Sequence, residues 1–318
     1  MKSEDKQNIT GFVIQGLTDI PEIQSLIFLI FLLCYVIIFL GNLTIFVVIL
    51  SDSRLHTPMY IFLLNLSLTD IGNITNILPK ILNILLTQHK TISFVGCLTQ
   101  MYMFLSLALT EAVILTAMAY DRYVAICHPL HYFIFMSLRH TAILVVSSWT
   151  FGFLVPTGYP VLISKHLFCR SHLLDHIICD LTLLLKISCS DTFNVELLIY
   201  LQGAIISVPA FVFTFISYIF IFSSVLKIQS SESRQKTFST CTSHLTCVTV
   251  FYGTLLCLYM RPASSFSPKQ DKFFALLYII MIPILNPVIY TLKNQDVKNA
   301  LTKLMNKHLC FTAHESNK

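Results

Sequence analysis

Long apolar runs separated by short polar connectors dominate this chain from residue 25 onward. A helix that crosses a bilayer needs about 20 mainly apolar residues, and seven stretches meet that length: 25–50, 58–86, 97–120, 141–163, 196–226, 238–260 and 272–292. The pattern predicts an all-α membrane protein, a seven-transmembrane helix bundle occupying residues 25–292. Residues 1–24 read as a polar tail and residues 293–318 as a terminal segment. In that terminal segment Val297, Leu301 and Leu304 recur at helical spacing opposite lysines, which predicts a short amphipathic helix lying on the membrane. The loops are short apart from about thirty residues between the fourth and fifth runs.

Composition narrows the function. The chain is 55% hydrophobic and only 12% charged, against roughly 25% charged residues in soluble domains. No stretch resembles a soluble catalytic domain, and there is no glycine-rich phosphate loop. His244 is the one histidine placed inside a run, so a membrane metallohydrolase would lack its ligands. No catalytic residues are expected and the chain does not read as an enzyme. Residues 1–19 are polar, and the first apolar run is long enough to stay as a span, so no cleavable signal peptide is expected.

Charge says little about orientation. With the N-terminus outside, eleven of the 21 basic residues fall in the cytoplasm and ten outside, nearly a tie under the positive-inside rule. The glycosylation sequons discriminate better. Those starting at Asn42, Asn65 and Asn73 lie inside apolar runs, whereas Asn8 lies in the free tail. Asn8 is therefore the expected acceptor, with the tail extracellular and the protein in the plasma membrane. Ten cysteines divide by location. Cys97, Cys169, Cys179 and Cys189 fall on the oxidising side, where three pairings are open; the other six fall in spans or cytoplasm. Cys310, beside the membrane, is a candidate for palmitoylation.

Three polar features stand where hydrocarbon should exclude them. Asp70 and Glu111 are carboxylates within spans, each costing about 2.5–3.5 kcal/mol at mid-helix. Counted at 1.5 Å per residue up from the start of span two near Pro58 and up from Arg122 at the inner end of span three, they lie at similar depth, about 18 and 16 Å in. On adjacent helices they could hold a hard cation such as sodium, or each could be protonated and hydrogen-bonded to neighbours. The third feature is Asp121-Arg122, which reads as a helix end at the cytoplasmic boundary.

Five blocks then carry a resemblance: Gly41-Asn42, Leu55-His-Thr-Pro-Met-Tyr60, Met118 to Cys127, Ser217-Tyr218 followed by Lys236 to His244, and Pro283 to Tyr290 with Asn286-Pro287. Together they resemble the odorant receptors, a branch of the rhodopsin-like G-protein-coupled receptors. Thr237 replaces the usual alanine of the fourth block. Phe251-Tyr-Gly253 stands in place of the Trp-Pro switch of other rhodopsin-like receptors, as is typical of odorant receptors.

The resemblance implies disulfides Cys97–Cys179 and Cys169–Cys189. It favours an allosteric sodium ion at Asp70 and Glu111 and adds Asn286 to that set; no other cofactor is implied. It assigns Asp121, Arg122, Tyr123, Tyr218, Lys236, His244 and Tyr290 to G-protein coupling, with a stimulatory olfactory G protein as partner and cyclic AMP as output. In the implied switch Arg122 exchanges Asp121 for Tyr218 and Tyr290 as the inner end of span six swings outward. Lys227, Arg234, Lys236 and Arg139 would border the groove so opened.

A ligand pocket between spans three, five, six and seven is implied as well. No lysine occurs between Phe273 and Thr291, which excludes a retinal Schiff base there. No acid occurs between Met101 and Thr110, which removes the usual partner of amines. Small, mostly apolar, uncharged volatile ligands remain. Phe104, Ala108 and Ala112 share one face of span three; Tyr252, Leu255 or Leu256, and Tyr259 share one of span six; Gln202 and Ile206 share one of span five. Periodicity alone fits core packing equally well, and the resemblance favours the pocket, with Tyr252 and Tyr259 as hydrogen-bond donors. A metabolite receptor of the same fold, and an ion channel or transporter using Asp70 and Glu111, stay open as alternatives, though no inverted internal repeat supports the latter.

Overall fold

Hydrocarbon offers no partner to a backbone amide, so each apolar run must close its hydrogen bonds within itself. The computed structural model describes residues 10–18, 20–168, 172–259, 267–292 and 295–315. Seven helices long and apolar enough to span a membrane succeed one another: α1 (Pro21–Ser51), α2 (Pro58–Thr87), α3 (Phe94–Cys127), α4 (Leu138–Ile163), α5 (Phe193–Val225), α6 (Ser231–Tyr259) and α7 (Pro268–Ile289). A further helix, α8 (Gln295–Glu315), follows. Proline opens α1, α2 and α7 at a position with no intrahelical N–H bond to lose. Ser93 and Ser137 cap α3 and α4 through their hydroxyls, which accept from Gly96 and His140 N–H.

The helices outrun their apolar cores. α6 starts at Ser231, not 238, and α3 continues to Cys127, so Asp121 and Arg122 sit inside it and not at its end. Hydropathy reports only the part that must avoid water; backbone bonding carries the helix past the boundary. α3 is the central rod: 72% of its most apolar stretch is buried inside the protein, against 17% for α1. Leu26, Leu29, Leu33 and Leu40 of α1 accordingly point outward, to lipid. α4 packs tightly against α3 at Gly152, where a Cβ would lie 1.9 Å from Thr110 Oγ1 and 2.9 Å from Thr110 Cα.

The N-terminal tail is not wholly free. Gly11–Ile14 forms β1, which pairs antiparallel with β2 (Thr91–Ser93) before α3 and parallel with β3 (Leu173–Leu174) in the α4–α5 connection. Phe12 and Ile14 turn inward from β1 and are buried among Phe94, Met101, Ile163 and Phe168. Gly11 crosses so near Ile92 that a Cβ would meet its carbonyl oxygen at 2.3 Å. A disulfide joins Cys97 at the start of α3 to Cys179 in the α4–α5 connection, followed by a short helix, Leu181–Ile187, capped by Asp180. Cys189 is disulfide-bonded; its expected partner Cys169, and the sequon residue Asn8, lie outside the described residues.

At the opposite face α8 is fastened to the α1–α2 connection. Val297 and Ala300 are buried there, with Leu301 and Leu304 packed alongside. Asp52 takes a bidentate pair from Arg54 (3.0 and 2.7 Å), lies 3.7 Å from Lys303 of α8, and Tyr60 donates to Asp296 (3.1 Å). Hydrogen bonds from the Arg54 side chain and backbone hold the Asp52 carboxyl well below the usual carboxylate range.

Candidate functional site

Between α3, α4, α5 and α6, toward the face that carries β1, lies a cavity of about 90 Å³, several times the roughly 10–15 Å³ that admits a single water. From α3 it is lined by Leu105, Ala108, Leu109 and Ala112; from α4 by Tyr159; from α5 by Ile199, Gln202, Gly203 and Ser207; from α6 by Tyr252, Leu255, Leu256 and Tyr259. Leu181, two residues past the disulfide, closes it from the loop. The disulfide thus ties the roof of the cavity to the top of α3.

Of the nine residues expected here, Ala108, Ala112, Gln202, Tyr252, Leu255, Leu256 and Tyr259 line the cavity, and Phe104 and Ile206 do not. Phe104 stands edge-to-face with Tyr278 of α7 (5.1 Å), which in turn packs on Phe251 of α6 (5.9 Å). These rings fill the gap toward α7, so no α7 residue reaches the cavity, contrary to the expected lining. Ile206 is displaced by a π-turn over Gly203–Ser207. With i→i+5 bonding the residue on the face of Gln202 is Ser207, five on, in place of the fourth. Tyr159 and Leu181 come from segments that periodicity on the other spans could not bring in.

The two tyrosines expected to offer donors are engaged within the protein. Tyr252 donates to the Ala112 carbonyl (3.2 Å) and its hydroxyl lies 3.1 Å from Thr116 Oγ1, tying α6 to α3. Tyr259 donates to Asp180 Oδ2 in the roof (2.9 Å). Asp180 also accepts from the Thr182 N–H and hydroxyl. Behind this roof His176 is buried facing Asp180, Asp271 and Lys272; burial pushes its imidazole below the ordinary value, against the pull of Asp180 and Asp271. Lys272 of α7 donates to Gly16 O (3.0 Å) and pairs with Asp175 (2.6 Å), so tail, loop and α7 share one latch.

Deeper, a polar pocket joins α2, α3 and α7. Asn286 donates to Asp70 (2.9 Å), Tyr278 to Glu111 (3.0 Å), and Asn73 to the Tyr278 hydroxyl (3.2 Å). Asp70, Glu111 and Asn286 are all buried. Asp70 Oδ1, Glu111 Oε1, Asn73 Oδ1, Asn286 Oδ1 and Ser67 Oγ have no hydrogen-bond partner among the described residues. Such orphan oxygens are costly without compensation, and an all-oxygen acidic set fits a hard cation.

At the other end, Arg122 Nε lies 3.8 Å from Asp121, whose nearer partner is the Tyr132 hydroxyl at 2.8 Å. Burial, and then Asp121 beside it, pushes the Tyr132 phenol above its ordinary value. Tyr218 of α5 hydrogen-bonds His244 of α6, and their rings stack at 5.7 Å. His244 is thus a buried tie between helices. Tyr123 instead faces the rim, beside His128 and Phe220. The Lys236 and Tyr290 side chains lie outside the described residues.

Seven spanning helices with a lidded apolar cavity at one end and an ion-paired, aromatic-tied end at the other define a seven-helix membrane receptor. The profile of the family described as olfactory receptor matches residues 31–308. Olfactory receptor 5AR1 of Mus musculus is 44% identical over 96% of this chain and 99% of its own. Olfactory receptor 5I1 of Homo sapiens is 45% identical over 93% and 95%. The chain belongs to the olfactory receptor family, multi-pass proteins of the plasma membrane that are receptors and not enzymes.

Proposed function

We propose that this chain is an odorant receptor that takes small, mostly apolar, uncharged molecules into the cavity between α3 and α6 and signals through a stimulatory, olfactory-type G protein to raise cyclic AMP. The observation that carries this is α6 itself. Its Tyr252, Leu255, Leu256 and Tyr259 wall the cavity, while His244 on the same helix ties to Tyr218 at the other end. A ligand that prefers one α6 position therefore shifts the equilibrium at both ends.

In the resting arrangement Arg122 stays beside Asp121 and Tyr218 beside His244. Occupancy loosens the Tyr252 tie to α3, the inner end of α6 moves out, and Arg122 exchanges Asp121 for Tyr218 and Tyr290. Arg139, Lys227, Arg234 and Lys236 then border the groove that receives the G protein. The N-terminus faces outward, with Asn8 as glycan acceptor and Cys169–Cys189 as the second disulfide. Residues 1–24, 25–292 and 293–318 act as tail, receptor domain and cytoplasmic helix. Asp70, Glu111 and Asn286 would hold a sodium ion, whose charge would balance the carboxylates and favour the resting packing of α2, α3 and α7.

A cyclic AMP reporter screen against a chemically broad odorant panel tests the reading. An odorant-evoked rise that Arg122→Ala abolishes, at unchanged surface expression, is expected. A response that survives Arg122→Ala refutes the switch. For the ion, sodium titration should stabilise the resting receptor and leave Asp70→Asn unmoved; equal behaviour of the two removes it.

A further inference from the structure

The cavity presents its uncommitted polarity on α5. Tyr252 and Tyr259 both donate elsewhere in the protein. Tyr159 donates to Gln202 Oε1, which occupies the acceptor end of that amide and fixes its plane. The Gln202 Nε2 group, with two N–H donors, is left on the cavity wall. Ser207, brought onto the same wall by the π-turn, adds a hydroxyl. Among the described residues neither Gln202 Nε2 nor Ser207 Oγ has a hydrogen bond within the protein. The remaining α3 and α6 wall is aliphatic, and among the described residues no charged side chain lines the cavity.

Resting on the reading of this cavity as the odorant site, we propose that Gln202, oriented by Tyr159, selects ligands that are neutral and carry one hydrogen-bond acceptor oxygen, such as ketones and esters. A hydrocarbon would leave the amide donors dry and unpaired. A carboxylate would shed its water without meeting a cation, and an ammonium would shed its own without meeting a carboxylate. One acceptor oxygen on a short chain satisfies the donor, and the chain fills the leucine and alanine wall. Tyr159 is a positioning residue: it acts through the amide and is not the ligand's partner.

The test uses the full-length receptor in lipid nanodiscs, with affinities taken from ligand-induced shifts in unfolding temperature. The probes are methyl hexyl ketone, methyl heptanoate, octanoic acid, octylamine, and the alkene in which a methylene replaces the ketone oxygen. The ketone and ester should bind about tenfold tighter than the alkene, as one hydrogen bond to a buried donor warrants, and the acid and amine more weakly than the alkene. Gln202→Met should bring ketone and alkene to one affinity, the ketone losing its donor and the alkene no longer leaving amide donors unpaired. Tyr159→Phe, which frees the amide to turn, should shrink the ketone's advantage without removing it. An advantage that persists in Gln202→Met, an alkene equal to the ketone in the native receptor, or failure of ketone and ester to bind at all overturns the proposal. Ala112→Trp separates the two levels: it should abolish binding of every probe. Ketone binding that survives it, with its preference intact, locates the site elsewhere and overturns the cavity reading together with the proposal.

Discussion

Replacing Gly152 with alanine adds one methyl group where α3 and α4 already touch. That carbon would lie 1.9 Å from Thr110 Oγ1 and 2.9 Å from both Thr110 Cα and Cβ, whereas ordinary contact begins at 3.4 Å. The hydroxyl can rotate away only by giving up its bond to the Ser106 carbonyl (2.8 Å), at about 1 kcal/mol. The backbone cannot rotate away, so the helices must part by about 0.5 Å, an overpacking strain of about 1–3 kcal/mol. The sum, about 2–4 kcal/mol, corresponds to a fall of about 3–6 °C in unfolding temperature for a chain of this size. Purified receptor in nanodiscs, heated with a thiol-reactive dye that reports exposure of buried Cys241, measures it. Thr110→Ala in the same background removes the oxygen but not Cα or Cβ, so it should recover only part of the loss. Gly253→Ala is the control: nothing lies within 4 Å of its added carbon, so the gain in helix propensity should stabilise by about 1 kcal/mol. An unchanged unfolding temperature in Gly152→Ala, or equal effects at both glycines, would refute the close-packing argument.

Three further outcomes follow from the same geometry. Tyr132→Phe leaves Asp121, among the described residues, with Arg122 at 3.8 Å; losing a charge-assisted bond of about 1.5–3 kcal/mol should raise odorant-free cyclic AMP about tenfold, and an unaltered basal reading counts against the resting lock. Cys97→Ser opens a constraint across 82 residues, worth about 4.5 kcal/mol by loop entropy; surface staining should collapse, and normal display would mean the roof holds without it. Burial lowers the His176 pKa in the fold, so below the ordinary value near 6.5 the unfolded chain binds the extra proton first. Stability should therefore fall as pH drops through about 6.5, the slope set jointly with the facing Asp180, Asp271 and Lys272. His176→Gln should flatten that slope, and an identical pH profile would show the roof histidine is not its source.

Much of this architecture could be read along the chain, because a bilayer imposes one rule on every residue in it: backbone bonds close locally, which makes each run a helix whatever its neighbours do. Two of the polar exceptions were legible for the same reason, since Asp70 and Glu111 are too costly in hydrocarbon to lack partners; Asn286 was added by the family resemblance alone. Ala108, Ala112, Tyr252 and Tyr259 could be found from helical spacing, which sets the face each residue takes on its own helix. Spacing does not say which faces meet. Phe104 obeys the period yet packs against Tyr278, and Ile206 yields its place to Ser207 because of a π-turn that no residue in Gly203–Ser207 announces.

The amino-acid order alone thus determined the number of spans, their approximate extent and which buried polar groups demand company, since each is a local balance between side chain and solvent. Only the tertiary structure decided that Tyr159 and Leu181 complete the cavity, that Gly11–Ile14 forms a strand in the lid, and that Tyr259 spends its hydroxyl on Asp180. Those contacts join segments distant in the chain, and their free energy exists only once the helices have packed.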